Sequence, residues 1–284
     1  MYSANDAMAK ENFSKARFKA FYQEVKAFLT RREAALLPFD EIRKKLNIKA
    51  ESYIGIKQVP IDKIVGSENR YNDFTRSFAP RKNFTEHRWV RIDTAHQQDT
   101  ILPPVSLYEV GGVYFVRDGN HRISVAKTRN VEFIDAEVIS LNSEIELSPD
   151  IRKDEIDGVI IKFEKEQFFK AAKLKEHRPD ADIPLTSIGG YPEIIKHIEE
   201  HRVFLSNNSD KEPDFKAAAL SWYDSVYSPV INLIEEKDIL RGFKNQTKAD
   251  LYLWIAKHMK EIEEEHQGCI MAEDALDELH SQKK

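Results

Sequence analysis

Val113-Tyr-Phe-Val-Arg-Asp-Gly-Asn-His-Arg-Ile-Ser-Val-Ala-Lys127 is the stretch from which the fold can be read. Val113 to Val116 are β-branched or aromatic and favour a strand, which the Asp118-Gly119 pair breaks. From His121 onward, Ile123, Val125 and Ala126 can cover one helix face, so a strand should run into a helix with Asp118 or Asn120 as its N-cap. A helix start leaves backbone N–H groups unpaired and carries about half a positive charge, which suits an anion. His121 and Arg122 stand on that first turn, although the macrodipole disfavours cations there by about 0.3–1 kcal/mol each. A bound phosphate would compensate them. The plainer reading is a capped turn followed by a solvated His-Arg pair.

Outward from this stretch, Leu102 to Val110, Gly111-Gly112 and Val113 to Val116 carry a hairpin signature. The helix from about 120 to 129 ends at Asn130, a C-cap residue type, and Val131 to Ile139 supplies another strand. Upstream, Val59 to Val65 reads as the first strand of the same domain, closed by Gly66 and followed by the polar segment Ser67 to Phe74. Arg76 to Thr100 has no clean periodicity. It interleaves Arg76, Arg81, Lys82, His87, Arg88 and Arg91 with Phe78, Phe84 and Trp89, a mixture that suits base stacking, a lid, or a loop packed on the core.

Gly119-Asn120-His121-Arg122, between a hairpin and a helix, resembles the signature turn of the ParB/sulfiredoxin superfamily, and the resemblance covers about residues 55–140. It implies a small mixed-sheet domain that binds nucleotide phosphates through Asp118, Gly119, Asn120, His121 and Arg122. Sulfiredoxin places a catalytic Cys directly before the His-Arg pair, where this chain has Asn120; its only Cys is Cys269, so sulfinic-acid reduction is excluded. ParB partition proteins carry Gly-Glu-Arg-Arg, of which only Gly119 and Arg122 remain, and their later Glu-Asn-x-x-Arg element does not appear. Free-serine kinases of the same fold carry Asp/Glu-Gly-His-His-Arg, from which Asp118 to Arg122 departs at one position. That resemblance implies a catalytic Glu after the first strand, with Glu68 the nearest match and Asp73 the second. It also implies Mg²⁺ with ATP or another NTP, with Asp118 a metal ligand directly or through water.

The remaining chain bounds these readings. Of 284 residues, 41% are hydrophobic and 32% charged, and a single Cys excludes a disulfide framework or a Cys-rich zinc site. No run approaches the roughly 18 apolar residues of a membrane span, and the start lacks a signal pattern, so a cytoplasmic location is expected. The net charge of −5 conceals an asymmetry: residues 1–130 hold 23 Lys/Arg against 15 Asp/Glu, and 131–284 hold 20 against 33. The basic half can meet phosphates, nucleic acid, or the acidic half of its own or a sister chain. Residues 6–37 should be helical, with Phe13, Phe18, Phe21, Val25, Phe28 and Leu29 at helical steps, Pro38 ending the segment and a short helix over 39–46. Its basic residues, among them Lys15, Arg17, Lys19, Arg31 and Arg32, read as a solvated face.

Beyond Leu141 a strand-like Val159 to Phe163 precedes helices over 164–177, from Gly190, over 213–236 and from Thr247, where Asp250 approximates a capping box. His197-Ile-Glu-Glu-His201 matches the inverted zinc-protease motif, but a third ligand is not evident and zinc is not expected. The expected fold class is therefore α+β: an N-terminal helical region over 1–50, a nucleotide-binding domain over 51–141, and a mostly helical region over 142–284. The expected activity is that of an NTP-dependent phosphotransferase or NTPase with a small-molecule acceptor. One rival is a DNA-associated ParB-like nuclease or regulator, although neither a compact acidic cluster nor a helix-turn-helix is recognisable. Another is a non-catalytic interaction protein with a structural nucleotide. Nucleotide is the leading partner, self-association is left open, nucleic acid ranks lower, and no membrane partner is expected.

Overall fold

The computed structural model describes residues 4–30, 33–48, 50–207, 212–241 and 245–266, so Arg31, Arg32 and Cys269 lie outside the described residues. The chain divides into two compact units, Met1–Ile156 and Asp157–Lys284. The first contains α1 (Ala4–Thr30), β1 (Leu37–Pro38), α2 (Phe39–Lys45), β2 (Glu51–Pro60), β3 (Ile64–Ser67), α3 (Glu86–Gln97), β4 (Val105–Val110), β5 (Val113–Asp118), α4 (Asn120–Thr128) and β6 (Phe133–Leu141). Its strands form one mixed sheet in the order β1-β3-β5-β4-β6-β2, which makes the chain α+β. β3 runs parallel to β5, and β4 runs antiparallel to β5 but parallel to β6. At the β4–β5 hairpin, Gly111 (φ 56) and Gly112 (φ 84) both take positive φ, as the tight turn demands.

Two layers of packing fix α4. Its Ile123 and Ala126 join the sheet core with Val59, Leu107, Val116 and Val138. Its Val125 joins Phe13 of α1 and Trp89 of α3. The Trp89 indole donates to Ser124 Oγ at 2.9 Å and meets Phe13 edge-on at 5.6 Å. Burying each such side chain contributes about 1.5–3 kcal/mol, so the helix that opens at the Asp118–Arg122 turn is held from both sides.

Several expectations change. The chain over 59–65 is not one strand: β2 ends at Pro60, a 3-10 turn follows over Ile61–Lys63, and β3 lies elsewhere in the sheet. Pro60 is tolerated there because its nitrogen faces the open edge of β2; the Ile61 N–H still donates to the Glu132 carbonyl at 2.9 Å before the chain leaves the strand. The N-terminal helix stops at Thr30, and Leu37–Pro38 pairs with Gly66 and Ser67 at the sheet margin, burying Leu36 and Leu37. The aperiodic 76–100 region contains the 12-residue α3, with Trp89, Val90 and Asp93 buried. With Phe78 and Trp89 buried and only Phe84 of the three exposed, it offers no stacking platform.

The second unit is helical: α5 (Ile156–Ala172), α6 (Leu174–His177), α7 (Gly190–Asn207), α8 (Phe215–Trp222), a π-helical turn (Tyr223–Tyr227), α9 (Ser228–Glu236) and α10 (Lys248–His266). The strand-like 159–163 segment is part of α5, because its apolar residues continue a helical rather than an alternating face. Phe168, Tyr191, Trp222, Tyr227 and Tyr252 form the core, whereas Trp254 remains partly exposed. At the start of α10, Thr247 N–H donates to Asp250 Oδ2 at 2.9 Å and Asp250 N–H to Thr247 Oγ1 at 3.0 Å, the reciprocal cap read from the sequence. No helix of the described residues is long and apolar enough to cross a membrane.

Candidate functional site

The site lies where β5 gives way to α4. Because β3 and β5 are parallel, both leave the sheet at the same edge: Ser67 pairs with Val116, and the Glu68 N–H donates to the Val116 carbonyl at 2.9 Å. That register brings Glu68 to the edge where Asp118 ends β5. Gly119 makes the turn at φ 109 and ψ 17. A Cβ there would lie 2.6 Å from the Val105 side chain, so both conformation and space favour glycine.

No side chain caps α4, and neither Asp118 nor Asn120 serves as the expected N-cap; Gly119 occupies that position. The first turn is nevertheless buried. Asn120 is 6% exposed and His121 is 5% exposed, and Asn120 Oδ1 and His121 Nε2 have no hydrogen-bond partner among the described residues. Leaving a buried polar atom unpaired costs about 1–3 kcal/mol. The His121 ring packs edge-on against Phe74 at 5.3 Å. Burial above all, then the Arg88 and Arg70 guanidinium groups, pushes His121 down to about 4, with Asp73 and Asp118 opposing. It is therefore neutral at pH 7 and does not add the positive charge expected from its place on the first turn.

Arg122 is a clamp. Its Nη1 donates to the Pro103 and Pro104 carbonyls at 2.5 and 2.9 Å, and its Nη2 donates to Asp118 Oδ2 at 2.7 Å. This ties the N-terminal end of β4 to the turn, so the guanidinium is already engaged rather than free for a phosphate. The Asp118 side chain is 68% exposed and uses only Oδ2 in that pair.

The two carboxylates expected after the first strand differ in setting. Glu68 is half-buried and accepts a bond from Asn69 Nδ2 at 3.2 Å. Asp73 is engaged by Arg70 at 3.2 Å and Lys82 at 2.9 Å. Arg70, in the segment after β3, and Arg88, on α3, are cations near the turn that motif reasoning missed. Arg88 belongs to the aperiodic basic stretch of the sequence, and only the packing of α3 against α4 brings it toward His121. Arg76 and Arg81 of the same stretch are committed to structure, Arg76 to the carbonyls of Val65, Pro149 and Ile151, and Arg81 to Glu24. In the second unit, His197 meets the Tyr252 hydroxyl at 3.2 Å and His201 the Ser221 hydroxyl at 3.0 Å. No group of three His, Cys, Asp or Glu side chains that could hold a metal occurs among the described residues.

No family model matches the chain, and no curated protein matches it. Among solved structures, it is similar to sulfiredoxin from Arabidopsis thaliana, at 17% identity over 29% of this chain and 82% of that chain, with a TM-score of 0.23. It is also similar to a pNOB8-like ParB N-domain, at 15% identity over 76% of this chain and 78% of that chain, with a TM-score of 0.23. A second crystal form of that domain gives 13% identity over 76% and 84% and a TM-score of 0.22.

Proposed function

We propose that the first unit binds a nucleotide through the Asp118–Arg122 turn and that the chain is an NTP-dependent phosphotransferase or NTPase. The observation that carries this reading is the pair of buried, unpartnered polar atoms on Asn120 and His121 at an uncapped helix start. A fold that leaves two such groups unpaired sacrifices stability that a ligand restores. The macrodipole, Arg70 and Arg88 set the sign of that ligand as negative. Backbone N–H groups of residues 120–122 hold the phosphates, His121 and Asn120 hydrogen-bond to them or to the adjoining ribose, and Arg122 keeps the turn in place. Three or four charge-assisted bonds of about 1.5–3 kcal/mol each reach the roughly 8 kcal/mol of micromolar binding.

Mg²⁺ fits this donor set, since it binds through one or two carboxylates together with substrate phosphates, and Asp118 retains one oxygen outside its ion pair. When bound, it would offset phosphate charge. Glu68, at the same sheet edge, takes the proton of an acceptor hydroxyl as the acceptor oxygen bonds to the terminal phosphorus and the nucleoside diphosphate leaves. Asp73, held by two cations, positions Arg70 and Lys82.

A thermal-shift panel of ATP, ADP, CTP and GTP with Mg²⁺ tests binding: a ligand at 100 times its Kd adds about 2.7 kcal/mol to the native state. Glu68→Gln should lower turnover about 100-fold or more while changing nucleotide affinity less than about fivefold. Turnover lost in Asp73→Asn but kept in Glu68→Gln would transfer the role to Asp73. Binding without turnover in the wild type would leave a nucleotide-holding interaction protein.

A further inference from the structure

Helix α1 has two apolar faces. Ala9, Phe13, Ala16 and Ala20 are buried, whereas Phe18, Phe21, Tyr22, Val25, Phe28 and Leu29 on the other side are between 40% and 81% exposed. The exposed set repeats every seven residues: Phe18 with Val25, Phe21 with Phe28, Tyr22 with Leu29. A single amphipathic helix needs only its inward stripe, so a second stripe on the solvent side is unexplained by the fold of the unit. A seven-residue recurrence is the pattern that keeps a seam in register with another helix.

We infer that this face of α1 is a self-association surface, occupied by the same face of a second copy of the chain. The area agrees with that occupant. Six such side chains at these exposures present about 700 Å² of apolar surface, more than the roughly 300–600 Å² of the largest patch on a typical monomer. It is close to the roughly 800 Å² that each partner contributes to a stable interface. The chemistry agrees as well. Lys19, Glu24 and Lys26 fall outside the six seam positions between Phe18 and Leu29, so the seam itself is apolar and complementary to itself, as a twofold interface requires. Two heptads are too few for an isolated coiled coil, but α1 is already ordered by packing on α3, so association does not bear the cost of forming the helix.

Sedimentation velocity of the full chain at roughly 1–100 µM reads the proposal directly. The wild type is expected to sediment with twice the chain mass, and Phe21→Glu/Phe28→Glu as a folded monomer that still melts cooperatively, its midpoint lowered only by the loss of association, since both positions are exposed in the single chain. Should the charged pair fail to fold, Phe28→Ser reads the same seam and should weaken association at least 10-fold. A wild type that stays monomeric at the highest concentration overturns the proposal, as does a folded charged variant that keeps the doubled mass. A monomer that co-sediments with phosphatidylserine-containing vesicles likewise overturns it, because the face would then be a lipid-binding one.

Discussion

His121 couples chemistry to stability. Its imidazole titrates near 6.5 when unfolded but is pushed to about 4 in the native unit, by burial first and then by Arg88 and Arg70. Between those values the unfolded chain binds a proton that the folded chain refuses. Unfolding free energy therefore falls as pH drops from about 6.5 towards 4, by up to about 3 kcal/mol, and is unaffected by this group above pH 6.5. Urea denaturation of wild type and the non-titrating His121→Phe should diverge over that window; parallel curves would mean that His121 protonates freely in the fold. Arg122 raises a separate question, because the turn motif reads as a phosphate contact whereas its three hydrogen bonds go to Pro103, Pro104 and Asp118. Arg122→Ala should cost only about 1 kcal/mol of stability, because the Pro103 and Pro104 carbonyls and the Asp118 carboxylate it frees are exposed and turn to water. A variant with wild-type melting and only weakened nucleotide binding would restore the direct-contact role.

The turn element depends on Gly119 for two separable reasons. Gly119→Ala meets both a backbone at φ 109 and the Val105 side chain at 2.6 Å, whereas Gly112→Ala at φ 84 meets nothing within 4 Å. Backbone strain of about 1–3 kcal/mol should appear in both, with a further loss only in the first. Equal destabilisation by equilibrium unfolding would mean that β4 yields without cost. The hairpin, α4 and the following strand are legible in the sequence because glycine pairs, Asn130 and local apolar spacing all act within a few residues. The split of β2 from β3 was less so: Pro60 is visible, but only pairing with β6 and β5 separates the two strands in the sheet. α3 was hidden because its buried residues, Trp89, Val90 and the ion-paired Asp93, face α1 and α4 rather than a simple apolar stripe. For the same reason the sequence shows Arg88 as one of several basic residues and does not connect it with the turn. The sequence places Glu68 after a strand only by resemblance, and the parallel β3–β5 register sets where its backbone lies at the sheet edge.

At the scale of the whole chain, every group assigned to the nucleotide lies in the first unit, which has its own sheet core. Residues 1–156 expressed alone should therefore keep nucleotide affinity within about threefold of the full chain, since domains with their own core can fold independently. Loss of binding in a folded fragment would assign part of the site to the second unit. The central claim is that stability is given up at Asn120 and His121 to bind a phosphate-bearing ligand. It is tested most directly by calorimetric titration of ATP with Mg²⁺ into the full chain and into His121→Phe at pH 7.5, each with a melting curve of the free protein. Phenylalanine keeps a ring against Phe74 and removes the unpaired buried Nε2. Micromolar binding by the wild type, at least 10-fold weaker binding by the variant, and a free variant that melts no lower than the wild type are the predicted results. A variant that melts lower yet binds ATP as tightly as the wild type contradicts the claim.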